Sequence, residues 1–225
     1  MIRFLRERGL SLAAVVAVMF LIAATQTEIS YSVGGGPLRH LGPIDLPVIL
    51  PGLYAVRIIL LLLLVLLWAF KRKRGLFGTI IIANVYFTLI LLVDAIGLLM
   101  VLGGFRSAAQ AMLIDAALMC VSNVFVFSIW YWIIDPPGVD DNPQEEGPWA
   151  FLFPQRDRQL PHYERWSPRY ADYLFIAFTT SFAFSPADAL PLTRTAKMLM
   201  LLQAAISAVT ITGIAGGAIG ALVGG

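Results

Sequence analysis

The chain has 225 residues, of which 59% are apolar and 13% charged, whereas soluble domains are roughly half apolar and a quarter charged. Its 16 basic and 14 acidic residues leave a net charge of +2, too little to mark a polyanion partner. Composition therefore excludes a disordered chain, a nucleic-acid-binding module and an ordinary soluble enzyme. Cys120 is the single cysteine and there are two histidines, so neither an internal disulfide nor a structural zinc site can form. No metal and no cofactor is expected, and an integral membrane protein is.

Crossing a bilayer as a helix takes about 20 mostly apolar residues. In chain order, Leu10 to Thr25 is apolar but short and follows Arg3, Arg6 and Arg8. A basic start, an apolar stretch and the small residues Ala23 and Ala24 also describe a signal peptide. No strong A-x-A site follows, which favours a retained helix. Leu53 to Phe70, Leu76 to Gly103, Ser107 to Ile134 and Thr195 to Val223 are clear spans. Tyr170 to Phe184 could cross, or dip and return. The expected fold is an all-α helical bundle of five or six membrane segments. It divides into helices one to four over 1–134, a cytoplasmic or interfacial loop over 135–169, and a pore-loop-like segment with a glycine-rich final helix over 170–225.

Basic residues orient the chain. The run Lys71-Arg72-Lys73-Arg74, the N-terminal arginines, and Arg156, Arg158, Arg165 and Arg169 then share one side, eleven of the 16 basic residues. That side is the cytoplasmic one, the N-terminus included, and a bacterial inner membrane is the expected location. The loop opens with Asp140, Asp141, Glu145 and Glu146, which lack the order of an EF-hand and read as a solvated linker. Its second half interleaves Trp149, Phe151, Phe153, Tyr163 and Trp166 with arginines, a mixture suited to the headgroup region.

Ionisable residues inside a span cost several kcal/mol unless paired or hydrated. Arg57, Asp94 and Asp115, with Asn84 and Asn123, form the candidate intramembrane polar site. Asp94 and Asp115 lie at similar distances, about 15 Å along their helices, from a turn expected near Gly104-Phe105. Two adjacent carboxylates in low dielectric need a shared proton or a cation, the chemistry of a proton or small-cation relay. The alternative is structural: Arg57 neutralises one acid, or the acids only lock the packing. Arg57, near the end of its span, is expected to snorkel to the surface. In the last helix, Gly213 with Gly217, Gly216 with Gly220, and Gly220 with Gly224 form overlapping G-x-x-x-G pairs, which allow close helix approach. No nucleotide-binding, metalloprotease or nucleophile-elbow motif is present, and His40 and His162 have no triad or metal neighbours, so no catalytic residue is assigned and no enzyme is expected.

The blocks Asn123 to Trp132 (NVFVFSIWYW), Phe151 to Gln155 (FLFPQ), Tyr170 to Thr179 (YADYLFIAFT), Ala183 to Asp188 (AFSPAD) and Pro191 to Arg194 (PLTR), with Ala196, Lys197 and Gln203, resemble an uncharacterised family of bacterial multipass membrane proteins. More distantly, the C-terminal block is similar to the pore-helix, filter and inner-helix unit of two-transmembrane potassium channels. That resemblance implies a pore helix over 173–180, a filter over 181–188 and a lining helix from Thr195. Potassium filters align carbonyls with a T-V-G-Y-G run. This chain has Ala183-Phe184-Ser185-Pro186-Ala187, without glycine, and Pro186 removes a donor. Channel pore loops also enter from outside, whereas the basic residues put the preceding loop inside. The chain departs from the family too: the last helix has Gly217 and Gly220 where the family has a basic residue and an asparagine, and just before the loop Ile133 stands where it has a glutamate, although Asp135 remains.

Thr179, Thr180, Ser185, Pro186 and Asp188 are thus the candidate pore-loop residues, marking a break tolerated in a membrane only under protein or water. Two functions remain open. One is a channel-like or transport-related bundle with a degenerate pore loop. The other is a non-catalytic accessory or structural subunit of a membrane complex. Expected partners are the lipid bilayer, further copies of the chain or a membrane-complex partner, and small cations or protons, but no nucleic acid.

Overall fold

A computed structural model describes residues 9–34, 46–70, 72–101, 109–135, 149–156, 161–163, 166–186 and 188–223. Among them are six α-helices: α1 (Gly9–Gly34), α2 (Leu46–Ala69), α3 (Lys73–Val101), α4 (Ala109–Ile134), α5 (Tyr170–Ala183) and α6 (Arg194–Val223). Two short strands, β1 (Phe151–Leu152) and β2 (Leu190–Pro191), pair antiparallel. Five helices are long and apolar enough to cross a membrane, over Ser11–Ile29, Gly52–Ala69, Arg74–Leu99, Leu113–Ile134 and Arg194–Gly216. This all-α architecture is compatible with a multipass membrane protein. α5, at 14 residues, is about 21 Å long and short of a hydrocarbon core of about 30 Å.

α1 is longer than its apolar run. The polar stretch from Thr25 to Thr27 stays helical because its side chains find partners without breaking the ladder. Thr25 Oγ1 donates to the Leu21 and Ile22 carbonyls, both at 3.0 Å, and Thr27 Oγ1 to the Ala23 carbonyl at 2.7 Å. Such back-bonding satisfies hydroxyls within the helix itself. Apart from the buried Arg57, α2 is apolar and largely uncovered: Val56, Ile59, Leu62, Leu63, Leu66 and Trp68 are exposed, and only 11% of its apolar window is buried. A helix apolar all round belongs against lipid or other protein.

The chain forms two compact units. The first comprises Met1–Val15 with Val124–Ala205, the second Val16–Asn123 with Ile206–Gly225. Both have apolar cores threaded with polar groups. The first buries Phe127, Tyr131, Trp132, Phe151 and Tyr173; the second buries Met19, Ile22, Leu64, Ile80, Phe87 and Leu91. In the second unit Gly213 sits where a Cβ would stand 2.6 Å from Leu98 Cδ2 and 3.3 Å from the Ala116 Cβ. The glycine therefore permits α6 to approach α3 and α4 closely. Gly216 on the same helix is exposed, Gly217 and Gly220 also lie on α6, and Gly224 lies outside the described residues. The loop acids Asp140, Asp141, Glu145 and Glu146, the turn near Gly104-Phe105 and His40 lie outside them as well.

Gly213→Leu should lower stability by roughly 1–3 kcal/mol through overpacking, whereas Gly216→Leu should be near neutral. Thermal unfolding of both variants in the same detergent gives the comparison, and equal losses would remove the special role of Gly213.

Candidate functional site

In the first unit the chain turns at Asp135, the residue after α4. Its carboxylate is fully buried and accepts from the Ala150 amide (2.8 Å), the Phe151 amide (3.3 Å), Arg156 Nη1 (3.4 Å) and Nη2 (2.6 Å), and the Tyr173 hydroxyl (2.6 Å). Arg156 is equally enclosed, its side chain 4% exposed. It also donates to the Phe151 carbonyl at 2.6 Å and lies over the rings of Trp149 and Phe153, at 4.8 and 5.3 Å. The Tyr173 ring meets Phe153 edge-on at 5.8 Å. A charge pair so placed is tolerable because the carboxylate is met by donors from several directions and the guanidinium by aromatic faces.

This cluster determines the course of residues 170–193. α5 begins where the Asp172 carboxylate accepts the Arg169 amide at 2.6 Å, and Tyr173 then binds Asp135. The helix ends at Phe184, a left-handed cap with φ 53°, and Pro186 prevents its continuation. β2 then returns to β1, with Phe151 opposite Pro191 and Leu152 opposite Leu190, and Leu192 donates to the Ala150 carbonyl at 2.9 Å. Both ends of the segment are therefore tied to residues gathered at Asp135. From Tyr173 to Phe184 the helix advances about 16 Å, and residues 184–190, when extended, cover about 20 Å, enough to return. The segment is a hairpin that enters and leaves at one end of the unit.

Gln203 fixes the middle of the hairpin. It lies about 14 Å along α6 from Arg194, near the centre of that helix's apolar window. Its amide donates to the Ala177 carbonyl and to Ser181 Oγ, both at 2.8 Å, and its oxygen accepts from the Tyr131 hydroxyl. Tyr170 shares a hydrogen bond of 2.6 Å with Ser128. Burial pushes its phenol above the ordinary value, and the Ser128 bond only partly opposes this. Of the expected pore-loop residues, Thr179 bonds back to the Phe175 and Ile176 carbonyls and Thr180 is buried. Ser185 and Asp188 are exposed at the tip and Pro186 is half-buried. The five residues thus do not converge on one point.

The intramembrane polar residues expected from sequence all fall in the second unit. Arg57 and Asp115 each lie within electrostatic range of Asp94. Arg57 does not snorkel: it is buried, and Nη1 donates to the Ala23 carbonyl (3.2 Å) and to Thr27 Oγ1 on α1. The carbonyl and hydroxyl of α1 offer it acceptors in the interior, so it need not reach water. Asn84 and Asn123 are buried in the same unit, Asn123 donating to Ser207 Oγ at 2.8 Å. Gln26 donates to the Phe87 carbonyl at 2.9 Å, and Thr25 shares a hydrogen bond of 2.7 Å with Ser122.

The roles of Asp135, Arg156, Tyr173 and Gln203 were missed by sequence reasoning. Gln203 carried a signal, being an amide within an apolar run. The pairing of Asp135 with Arg156 carried none, because a loop separates them. Comparison with protein-family models, curated proteins and solved structures gives no match to the chain.

Asp135→Asn leaves Arg156 buried without its counter-charge, which should cost roughly 3–5 kcal/mol. Tyr173→Phe removes a single bond to a charged acceptor, about 1.5–3 kcal/mol. Melting temperatures in detergent should fall in that order; a silent Asp135→Asn would show that the pair does not hold the loop.

Proposed function

We propose that this chain is a transport-related, channel-like multipass membrane protein in which residues 170–193 form a half-membrane hairpin, a degenerate pore loop, beside a polar path. The observation that supports this most strongly is the return of β2 to the Asp135 cluster from which α5 departs. A hairpin that ends near the centre of the α6 window leaves non-helical backbone at membrane depth, which needs protein or water around it. Ser185 and Asp188 are the exposed polar side chains there. One copy supplies one hairpin, so the reading includes assembly with further copies of the chain. The resemblance of this block to the pore unit of two-transmembrane channels points the same way, although the sequence around Pro186 does not suit a potassium filter.

The basic residues assign the Asp135 end, and the N-terminus, to the cytoplasmic side of a bacterial inner membrane. The hairpin then enters from the cytoplasm. A second reading, an accessory subunit of a membrane complex, draws on α2, whose exposed apolar surface could lie against a partner protein.

Three measurements test these readings. Ser185→Cys, with Cys120 buried, should react with a membrane-impermeant thiol reagent applied from the cytoplasmic face and not from outside; labelling from outside alone would mean that the segment crosses. The native mass after gentle extraction should be a multiple of one chain, and a stable assembly with other proteins would favour the accessory subunit. In a homo-oligomer reconstituted in liposomes, Asp188→Asn should alter ion flux without altering assembly, and unchanged flux would count against the polar path.

A further inference from the structure

The second unit contains a buried acid that the hairpin does not involve. Asp94 on α3 is 3% exposed, and its Oδ2 has no hydrogen-bond partner. The cation within electrostatic reach, Arg57, directs Nη1 to α1 instead, bonding the Ala23 carbonyl and the Thr27 hydroxyl. Its guanidinium also lies over the Tyr54 ring, at 5.5 Å. Among the described residues, Arg57 from α2, Tyr86 from α3 and Asp115 from α4 lie within electrostatic range of Asp94. Tyr86 is itself engaged, donating to the Leu53 carbonyl at 2.9 Å.

A carboxylate oxygen enclosed in an apolar span without a donor is costly to leave bare. One compact positive charge on it removes that cost. Carboxylate oxygen is a hard ligand that suits a proton or an alkali cation rather than a soft metal. Among the described residues no group of three or more His, Cys, Asp or Glu is arranged to hold a metal ion. Arg57 plays the opposite part: its fixed positive charge opposes a bound cation, which favours exchange over permanent occupancy.

We propose that Asp94 is the binding position of a single, exchangeable, hard monovalent cation, a proton or a sodium ion, with Arg57 as the fixed charge that keeps it exchangeable. The inference takes from the proposed function only the placement of α3 in the membrane. Failure of the hairpin in the thiol experiment would leave it standing, and its own failure would leave the hairpin standing.

The test is modification of the full-length protein in lipid vesicles by a hydrophobic carbodiimide, which reacts with protonated carboxyl groups, followed by mass-spectrometric mapping. The expected result is an adduct at Asp94 that forms more slowly as pH rises and is lost in Asp94→Asn. Slowing by sodium chloride, but not by choline chloride, at fixed pH identifies sodium as the competing ion; indifference to sodium identifies the proton. No adduct at Asp94 at any pH, or an adduct at Asp115 alone, overturns the proposal. Because the adduct is mapped on the unaltered protein, the outcome does not depend on the variant folding.

Discussion

The first unit depends on one buried carboxylate. Asp135 ends α4, collects the amides of Ala150 and Phe151, pairs with Arg156 and receives the hydroxyl of Tyr173. Taking two charges out of water is unfavourable unless their hydrogen-bonding capacity is met, and here aromatic rings and backbone donors meet it from several directions. The cluster converts a loop between two long helices into an ordered strand and turn. Through β1 and β2 it also fixes the return of the hairpin.

Polar groups inside an otherwise apolar protein are handled in two ways. In the first unit several bond to one another across elements: Gln203 has Tyr131, Ala177 and Ser181, and Tyr170 has Ser128. Hydrogen bonds of this kind specify geometry, because an apolar surface alone lets helices slide whereas an amide with three partners does not. In the second unit Asp94 keeps an oxygen without a donor while the nearby guanidinium is turned toward α1.

Small residues and hydroxyls perform the remaining adjustments. Gly213 brings α6 against Leu98 and Ala116, a close approach that a larger residue there would block. Threonines on α1 bond to their own helix, so a polar stretch extends the helix instead of ending it. The aromatic residues of α5 divide by face: Tyr173 is buried, while Phe175, Phe178 and Phe182 are exposed as an apolar surface.

The apolar runs by themselves determined that this chain is all-α and that five helices are long enough to cross a membrane, because length and hydropathy are local properties read along the chain. They also placed Asp94, Asp115 and Arg57 inside spans, since a charged residue in an apolar run is conspicuous. The polar continuation of α1 was not legible, because whether threonine and glutamine end a helix depends on the partners they find. The inward turn of Arg57 depended on the α1 carbonyl and hydroxyl that receive it. Whether residues 170–189 cross or return was undecidable from hydropathy, since a 14-residue helix fits either course. Only the tertiary structure shows that both ends of this segment meet at the Asp135 cluster, by pairing β2 with β1 and Tyr173 with Asp135, because bonds between residues far apart in sequence leave no local pattern.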